Sequence, residues 1–562
     1  MTEPFSVWAP ARSRVRVTVD DVQHEMARDD QGWWHAEVSG GIDYAFLLDD
    51  DETPLPDPRS LWQPNGVHEA SRRYEHGAFE WTDSGWTGRA LPGSVVYELH
   101  IGTFTPSRTF DGAIEKLDHL VSLGIDLVEV LPVNAFDGVA GWGYDGVLWG
   151  AVHEPYGGPD GFKRFVDACH ARGLGVILDV VYNHLGPSGA YLDRFGPYFA
   201  GRNLWGPTLN LDGPDSDEVR RYVIENALGW LRDFHVDGLR LDAVHALIDT
   251  RATHVLEELS VEVDALSAGL GRPLSLIAES DLNDPRHVRS RSAGGYGLTA
   301  QWCDDIHHAL HVALSGETSG YYGDFAGALP ATLRSAFFHA GTWSSFRRRT
   351  HGRPVSSLPG YQFLAYLQNH DQIGNRAAGD RLTATVSPAR MLCGAAIVFC
   401  SPYTPMLFMG EEWAASTPWQ FFASFPDPEL ASAVRTGRRR EFAAHGWGEA
   451  SVPDPMSPAT VSASTLDWSE VDSSPVLATY RALIALRRRY PELADPRLDR
   501  FVVESGDGWL VLHRGALRVA VNLGGAAVAL PVRVTAVLLA AEGVVAGDEL
   551  MLPADTFAVV RV

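Results

Sequence analysis

Four acidic residues each stand at the end of a separate apolar run: Asp179 in GVILDVVYNH, Asp242 in VDGLRLDAVH, Glu279 in LSLIAES and Asp371 in FLAYLQNHD. In an eight-stranded α/β barrel the catalytic groups sit where the strands' C-terminal ends meet, so acids distant in sequence converge on one mouth. Arg240 and Asp242 are two apart, which on a strand points both side chains to one face. The guanidinium favours an ionised, fixed carboxylate at 242. Such a group can attack an anomeric carbon, while a second carboxyl about 5 to 5.5 Å away protonates the leaving oxygen and later deprotonates water, with net retention. Glu279 is the candidate for that second group, and its apolar neighbours Leu276, Ile277 and Ala278 predict a desolvated carboxyl that carries a proton. Asp371 is placed to accept hydrogen bonds from sugar hydroxyls as positive charge develops. Asp179 reads as a brace for Arg240 rather than a reacting group.

The elements that must position these acids are legible as changes of period. Residues 5 to 48 alternate apolar and polar side chains, with turn breaks at DDQGWW and SGGIDY, and predict a small antiparallel β-sandwich that ends in the Pro-rich stretch 53 to 66. From Leu91 the chain alternates apolar runs with amphipathic stretches: SVVYELHIGTF, IDLVEVLPV, GVILDVVYNH, GLRLDAV, LSLIAES, LTAQW, FLAYLQNHD and AAIVFC. Eight candidate strands predict a (β/α)8 TIM barrel of class α/β. The 92 residues from Glu279 to Asp371 exceed two βα units and predict long loops near 310 to 360 over the binding face. After a last helix in SSPVLATYRALIALRRRY, alternating strands return and predict a C-terminal antiparallel β-sandwich. The expected domains are therefore 1–90, 91–490 and 491–562.

Composition narrows the partners. A formal net charge of −25 over 562 residues, offset only by short basic runs such as GRRR at 437 to 440, excludes nucleic acid and anionic membrane surfaces and suits a neutral substrate. The start MTEPFSVWAP has no basic region followed by an apolar stretch, and MLCGAAIVFC is too short to span a bilayer, so a cytoplasmic protein is expected. Cys169, Cys303, Cys393 and Cys400 lack CxxC spacing and read as reduced, packed thiols. His307 and His311 have the i, i+4 spacing of a metal pair but no third ligand, and LDGPDSDE at 211 to 218 lacks calcium-loop spacing. No metal and no cofactor are expected. Trp302, Trp413, Trp419 and Phe422 are open between sugar stacking and core packing, as are Trp33 and Trp34.

The motifs DVVYNH, GLRLDAVH, Glu279 after LIA, and NHD at 369 to 371 resemble the four conserved regions of the α-amylase family of glycoside hydrolases. The resemblance implies Asp242 as nucleophile, Glu279 as acid/base and Asp371 as transition-state stabiliser, with Arg240, His184 and His370 around the reacting glucose and Tyr144 of GWGYDG beneath it. Many α-amylases carry Lys-His at the third and fourth positions after the nucleophile, whereas this chain has His245 and Ala246, so its product-side contacts differ. FSVWAP, QPNGVH, QWCDDIHH, NHDQIGNR and TPWQFFASFPDPEL followed by GRRREF resemble, more narrowly, that family's maltooligosyltrehalose trehalohydrolases. This implies hydrolysis of the α-1,4 bond next to a terminal trehalose, releasing trehalose and a maltooligosaccharide, and functional coupling to a maltooligosyltrehalose-forming enzyme. Trp302, Asp304, Asp305, His307, His308, Gln372 and Asn375 fall in the matching substrate-binding segments. Two other readings stand beside it: a glycogen-branching or debranching enzyme of the same family, and a non-catalytic glucan-binding protein on a dead barrel. The intact set of Arg240, Asp242, Glu279 and Asp371 speaks against the last.

Overall fold

The computed structural model describes residues 5–203, 205–443 and 452–562, so Met1–Pro4 of the chain's start lie outside the described residues. Eight parallel strands close a barrel in simple chain order: β1 (Val96–Leu99), β2 (Leu127–Val130), β3 (Gly175–Val180), β4 (Gly238–Leu241), β5 (Ser275–Ala278), β6 (Ala300–Trp302), β7 (Phe363–Ala365) and β8 (Thr404–Phe408). These strands are buried along their whole length, which explains why their sequences read as apolar runs instead of alternating.

The barrel interior has two levels. Val96, Leu127, Ile177, Ile277, Ala300, Leu364 and Met406 form an apolar plug. Two residues further along their strands, on the same face and about 6.6 Å higher, stand Glu98, Glu129, Asp179, Glu279, Trp302 and Tyr366. The plug therefore gives way to a charged layer within one pleat. On β4 the plug position is Gly238, where a Cβ would lie 2.7 Å from the Ser275 carbonyl oxygen. Glycine lets β4 and β5 approach closely beneath Arg240, which pairs in register with Asp179 on one side and Ile277 on the other.

The eighth strand differs from the sequence expectation. AAIVFC lies in a helix, Pro388–Cys400, capped by the Ser387 side chain with Pro388 in its first turn, and TPMLF forms β8 instead. A fully apolar run has no period to separate a buried helix from a buried strand. The stretch between β6 and β7 is also more regular than expected: it holds helices Asp304–Ser315 and Leu329–Ser335 and a hairpin of Thr342–Ser344 with Arg349–His351.

Before the barrel, Phe5–Trp8, Trp33–Ala36 and Ala27–Arg28 make one antiparallel sheet, and Val22–Glu25, Val15–Val19, Asp43–Leu48 and Ser71–Arg72 make a second. The second sheet takes its last strand after the Pro-rich stretch, because residues 53 to 66 turn the chain back and Ser71 pairs with Tyr44. Trp34 is buried, and Trp33 packs on Arg59, whose guanidinium lies between Trp33 and Tyr222 at 4.9 and 4.7 Å and docks this unit onto the helix Ser216–Asp233. After the helix Leu477–Arg489, a five-stranded and a three-stranded antiparallel sheet follow between Val502 and Arg561. All four cysteines are free and buried. Among the described residues no helix is long and apolar enough to cross a membrane.

Candidate active site

Arg240 is the centre of the charged layer. Its guanidinium is fully buried and lies 4.2 Å from the ring of Trp302. Nη1 donates to Asp179 Oδ2 at 2.7 Å and to Asp242 Oδ1 at 2.8 Å, and Nη2 lies 3.0 Å from Glu279 Oε2. One cation thus holds three carboxylates. Side-chain exposure rises from 2% at Asp179 to 12% at Asp242, 20% at Glu279 and 37% at Asp371, so the last three are the ones a substrate can touch. Burial pushes the Asp179 carboxyl up to about 7 against the pull of Arg240, with Asp242 adding to the rise.

Local backbone geometry fixes the two carboxylates that flank Arg240. Ala243 takes a left-handed conformation, φ 40°, immediately after Asp242, and its N–H donates to Glu279 Oε2 at 2.7 Å. A non-glycine residue held there costs about 1 kcal/mol or more, which the surrounding contacts must offset. Asn183 Nδ2 donates to Asp242 Oδ2 at 2.5 Å and to the Asp242 carbonyl at 2.9 Å, so both oxygens of Asp242 are occupied. The environment of Glu279 differs from the apolar one expected. Leu276, Ile277 and Ala278 are buried within β5, whereas the carboxyl itself meets Arg240 and the Ala243 N–H.

On the opposite wall His370 and Asp371 begin a short helix whose cap is Asn369. His370 Nδ1 donates to Glu98 Oε1 at 2.5 Å, its backbone N–H donates to Glu98 Oε2 at 3.1 Å, and Nε2 lies 3.6 Å from Asp371 Oδ1. Burial disfavours its charge, yet Asp371 and Glu98 outweigh that and push the imidazole up to about 9. Tyr144 stacks on His370 at 5.0 Å, and its hydroxyl donates to Asp179 at 2.6 Å. Asn375 Nδ2 donates to Asp371 Oδ1 at 3.2 Å.

His184 lies beyond the end of β3, so strand alternation does not govern it. Its Nε2 donates to the Tyr144 carbonyl at 3.0 Å. His245 Nδ1 accepts from the Asp281 N–H at 3.4 Å beside the exposed Trp205. Asp304 reaches the layer through Tyr366, whose hydroxyl donates to it at 2.5 Å, and through Gln372 at 3.2 Å; desolvation pushes its carboxyl up to about 7.

Three expected binding residues turn away from the mouth. Asp305 is buried and accepts from Asn283 Nδ2 and from the N–H groups of Phe338 and His339 at 2.8 to 2.9 Å, which pins two loops together. His307 donates to the Leu367 carbonyl at 2.8 Å, and His308 packs among Tyr321, Tyr322 and Phe325; burial lowers both imidazoles. Their helix faces inward along nearly its whole length. His311, also buried, pairs with Glu317 at 2.9 Å. Trp302 serves as a floor under Arg240 instead of a sugar platform, and Trp413, Trp419 and Phe422 are core.

Glu98, Glu129 and Asn183 were missed as site residues. Glu98 and Glu129 are the strand-end acids of SVVYELHIGTF and IDLVEVLPV, the same signal that singled out the other four. No recognised motif surrounds them.

An eight-stranded barrel with Arg-Leu-Asp, a strand-end Glu and Asn-His-Asp converging on its mouth is a glycoside hydrolase scaffold of the α-amylase type. The family model described as the alpha-amylase catalytic domain matches residues 95–197, and a domain of unknown function matches 496–559. The chain is 55% identical, over 99% of both chains, to malto-oligosyltrehalose trehalohydrolase of Mycobacterium tuberculosis. It is 56% identical, over 94% of each chain, to the Arthrobacter ramosus enzyme of that name. A crystal structure titled putative alpha amylase from Salmonella typhimurium superposes with a TM-score of 0.92 at 38% identity, covering 100% of this chain and 97% of the other. The chain belongs to the malto-oligosyltrehalose trehalohydrolase family.

Glu129 generates a prediction of its own. It is buried beside Glu98, its register partner, and Oε2 has no hydrogen-bond partner. Burial, with Glu98 adding to it, holds its carboxyl well above the usual range, so the folded protein keeps it neutral. An acid with a raised folded pKa must take up a proton on folding, so stability is lost as pH rises above its unfolded value, by up to about 1.4 kcal/mol per pH unit. Glu129→Gln removes that proton uptake. Thermal melts between pH 5 and 8 should show E129Q gaining steadily on the wild type, whereas parallel curves would mean that Glu129 is ionised in the fold.

Proposed function

We propose that the protein is a retaining glycoside hydrolase that cleaves the α-1,4-glucosidic bond next to the terminal trehalose of maltooligosyltrehalose. The observation that carries the chemistry is Arg240, which hydrogen-bonds Asp242 through Nη1 and sets Nη2 at ion-pair distance, 3.0 Å, from Glu279. The family membership of the chain, and the names of its relatives, carry the substrate.

Asp242 attacks the anomeric carbon of the glucose on the non-trehalose side. The C–O bond to trehalose breaks as Glu279 delivers its proton to the departing O4. Free trehalose leaves and a glycosyl ester remains on Asp242. Glu279, now a carboxylate, takes a proton from water; the hydroxide oxygen adds to the anomeric carbon, the ester bond breaks and Asp242 is regenerated. Net configuration is retained because each step inverts. Asp371 and the cationic His370 line the wall facing the reacting sugar, where a carboxylate and a charged donor grip hydroxyls whose hydrogen bonds strengthen in the oxocarbenium-like state. Tyr144 supplies a flat face beneath that sugar. His184, His245 and the Asp304–Gln372 pair complete the polar lining. In trehalose biosynthesis the enzyme acts after one that forms maltooligosyltrehalose.

Chromatography of products from maltooligosyltrehalose and from an unmodified maltooligosaccharide of equal length tests this reading. Trehalose should appear from the first alone; new α-1,6 links or their cleavage in amylopectin, with no trehalose, would replace it with a branching or debranching activity. Asp242→Ala should lower kcat by several orders of magnitude with the melting curve preserved. Near-normal turnover in that variant would show that the nucleophile lies elsewhere.

A further inference from the structure

Glu98 is a buried carboxylate on β1 that touches neither Asp242 nor Glu279, yet both its oxygens are committed to one residue. Oε1 takes the Nδ1 proton of His370 and Oε2 takes the backbone N–H of the same residue. Two bonds to a single residue fix both the position of the ring and its orientation. They leave Nε2 directed toward Asp371 at 3.6 Å.

The other groups around His370 make its charge depend on Glu98. Asp371 adjoins it in the chain, and Glu98 faces it from β1. Arg240 from β4 opposes a second positive charge, while Asp179 and the neutral Glu129 lie further back. Tyr144, Trp142 and Trp302 cover the ring with aromatic surface and keep bulk water away. Removing Glu98 would leave a desolvated imidazole with Arg240 nearby and the half-exposed Asp371 as its one close anion, and burial then favours the neutral form.

We propose that Glu98 is a positioning residue for catalysis, holding His370 as a cation aimed at Asp371 and at the hydroxyls of the reacting sugar. It acts through His370 and never meets the substrate. This rests on the assignment of the mouth as the glycosidase site, and it is independent of which α-glucan is cleaved.

The test is the pH dependence of kcat/KM, measured on maltooligosyltrehalose, or on any maltooligosaccharide the enzyme hydrolyses if no trehalose is released. In the wild type the alkaline limb should fall with a slope of −1, reporting the one proton delivered to the leaving oxygen. In Glu98→Gln, His370 should titrate within the working range, so the limb steepens toward −2 and shifts to lower pH, and activity on that limb drops about 10- to 100-fold. Adding His370→Asn to E98Q should restore a slope of −1 and cost no more than His370→Asn alone. An E98Q profile that superimposes on the wild type, or losses that multiply in the double variant, would overturn the proposal. Should E98Q fail to fold, Glu98→Asp keeps the charge: it should lower kcat while holding the slope at −1, and a slope of −2 there would be equally fatal. Trehalose release tests the substrate and the slope tests Glu98, so the two failures are distinguishable.

Discussion

A guanidinium cannot be buried alone, and the interior of this barrel is arranged around that constraint. Arg240 is fully enclosed, with Asp179 and Asp242 on one terminal nitrogen, Glu279 on the other and the face of Trp302 below. Removing one partner of such a set leaves uncompensated charge in a low-dielectric site, which costs about 3 to 5 kcal/mol. The cation therefore fixes the carboxylates and the carboxylates fix the cation. Exposure is graded around that cation: Asp179 is sealed below, while Asp242 and Glu279 reach the mouth.

The rest of the fold supports that arrangement. An apolar plug closes the barrel below the charges, so water cannot approach Arg240 from beneath. Gly238 lets the two strands under it come together, and the left-handed turn at Ala243 aims an N–H at Glu279. A second charge set, Glu98, His370 and Asp371, faces the first across the mouth, with neutral Glu129 between β1 and β3. In the proposed mechanism, substrate entering between the sets meets fixed dipoles and charges that need no reorganisation during the reaction.

Much of this was legible in the residues. Period changes located both flanking sandwiches and seven of the eight barrel strands, and the two-residue step from Arg240 to Asp242 placed both on one face. The eighth strand was misassigned because AAIVFC and TPMLF are both apolar, and only the cap at Ser387 separates helix from strand. Side-chain direction leaves less trace in the sequence. Asp305, His307 and His308 share a segment with Asp304, yet a helix turns successive residues by about 100°, so three of the four point into packing. Glu98 and Glu129 were visible as strand-end acids, but their partners lie on other strands, and a pairing across a closed barrel leaves no local trace in sequence.

In the proposed mechanism the shape of the Arg240 guanidinium, and not merely its charge, organises Asp242 and Glu279. Arg240→Lys separates the two, since an ammonium keeps the charge but cannot hold Asp179, Asp242 and Glu279 at once. Measuring kcat and the melting temperature on the same preparation tests it directly. Arg240→Lys should fold, with kcat lowered about 100-fold or more. A variant that remains within a few-fold of wild-type turnover would contradict it.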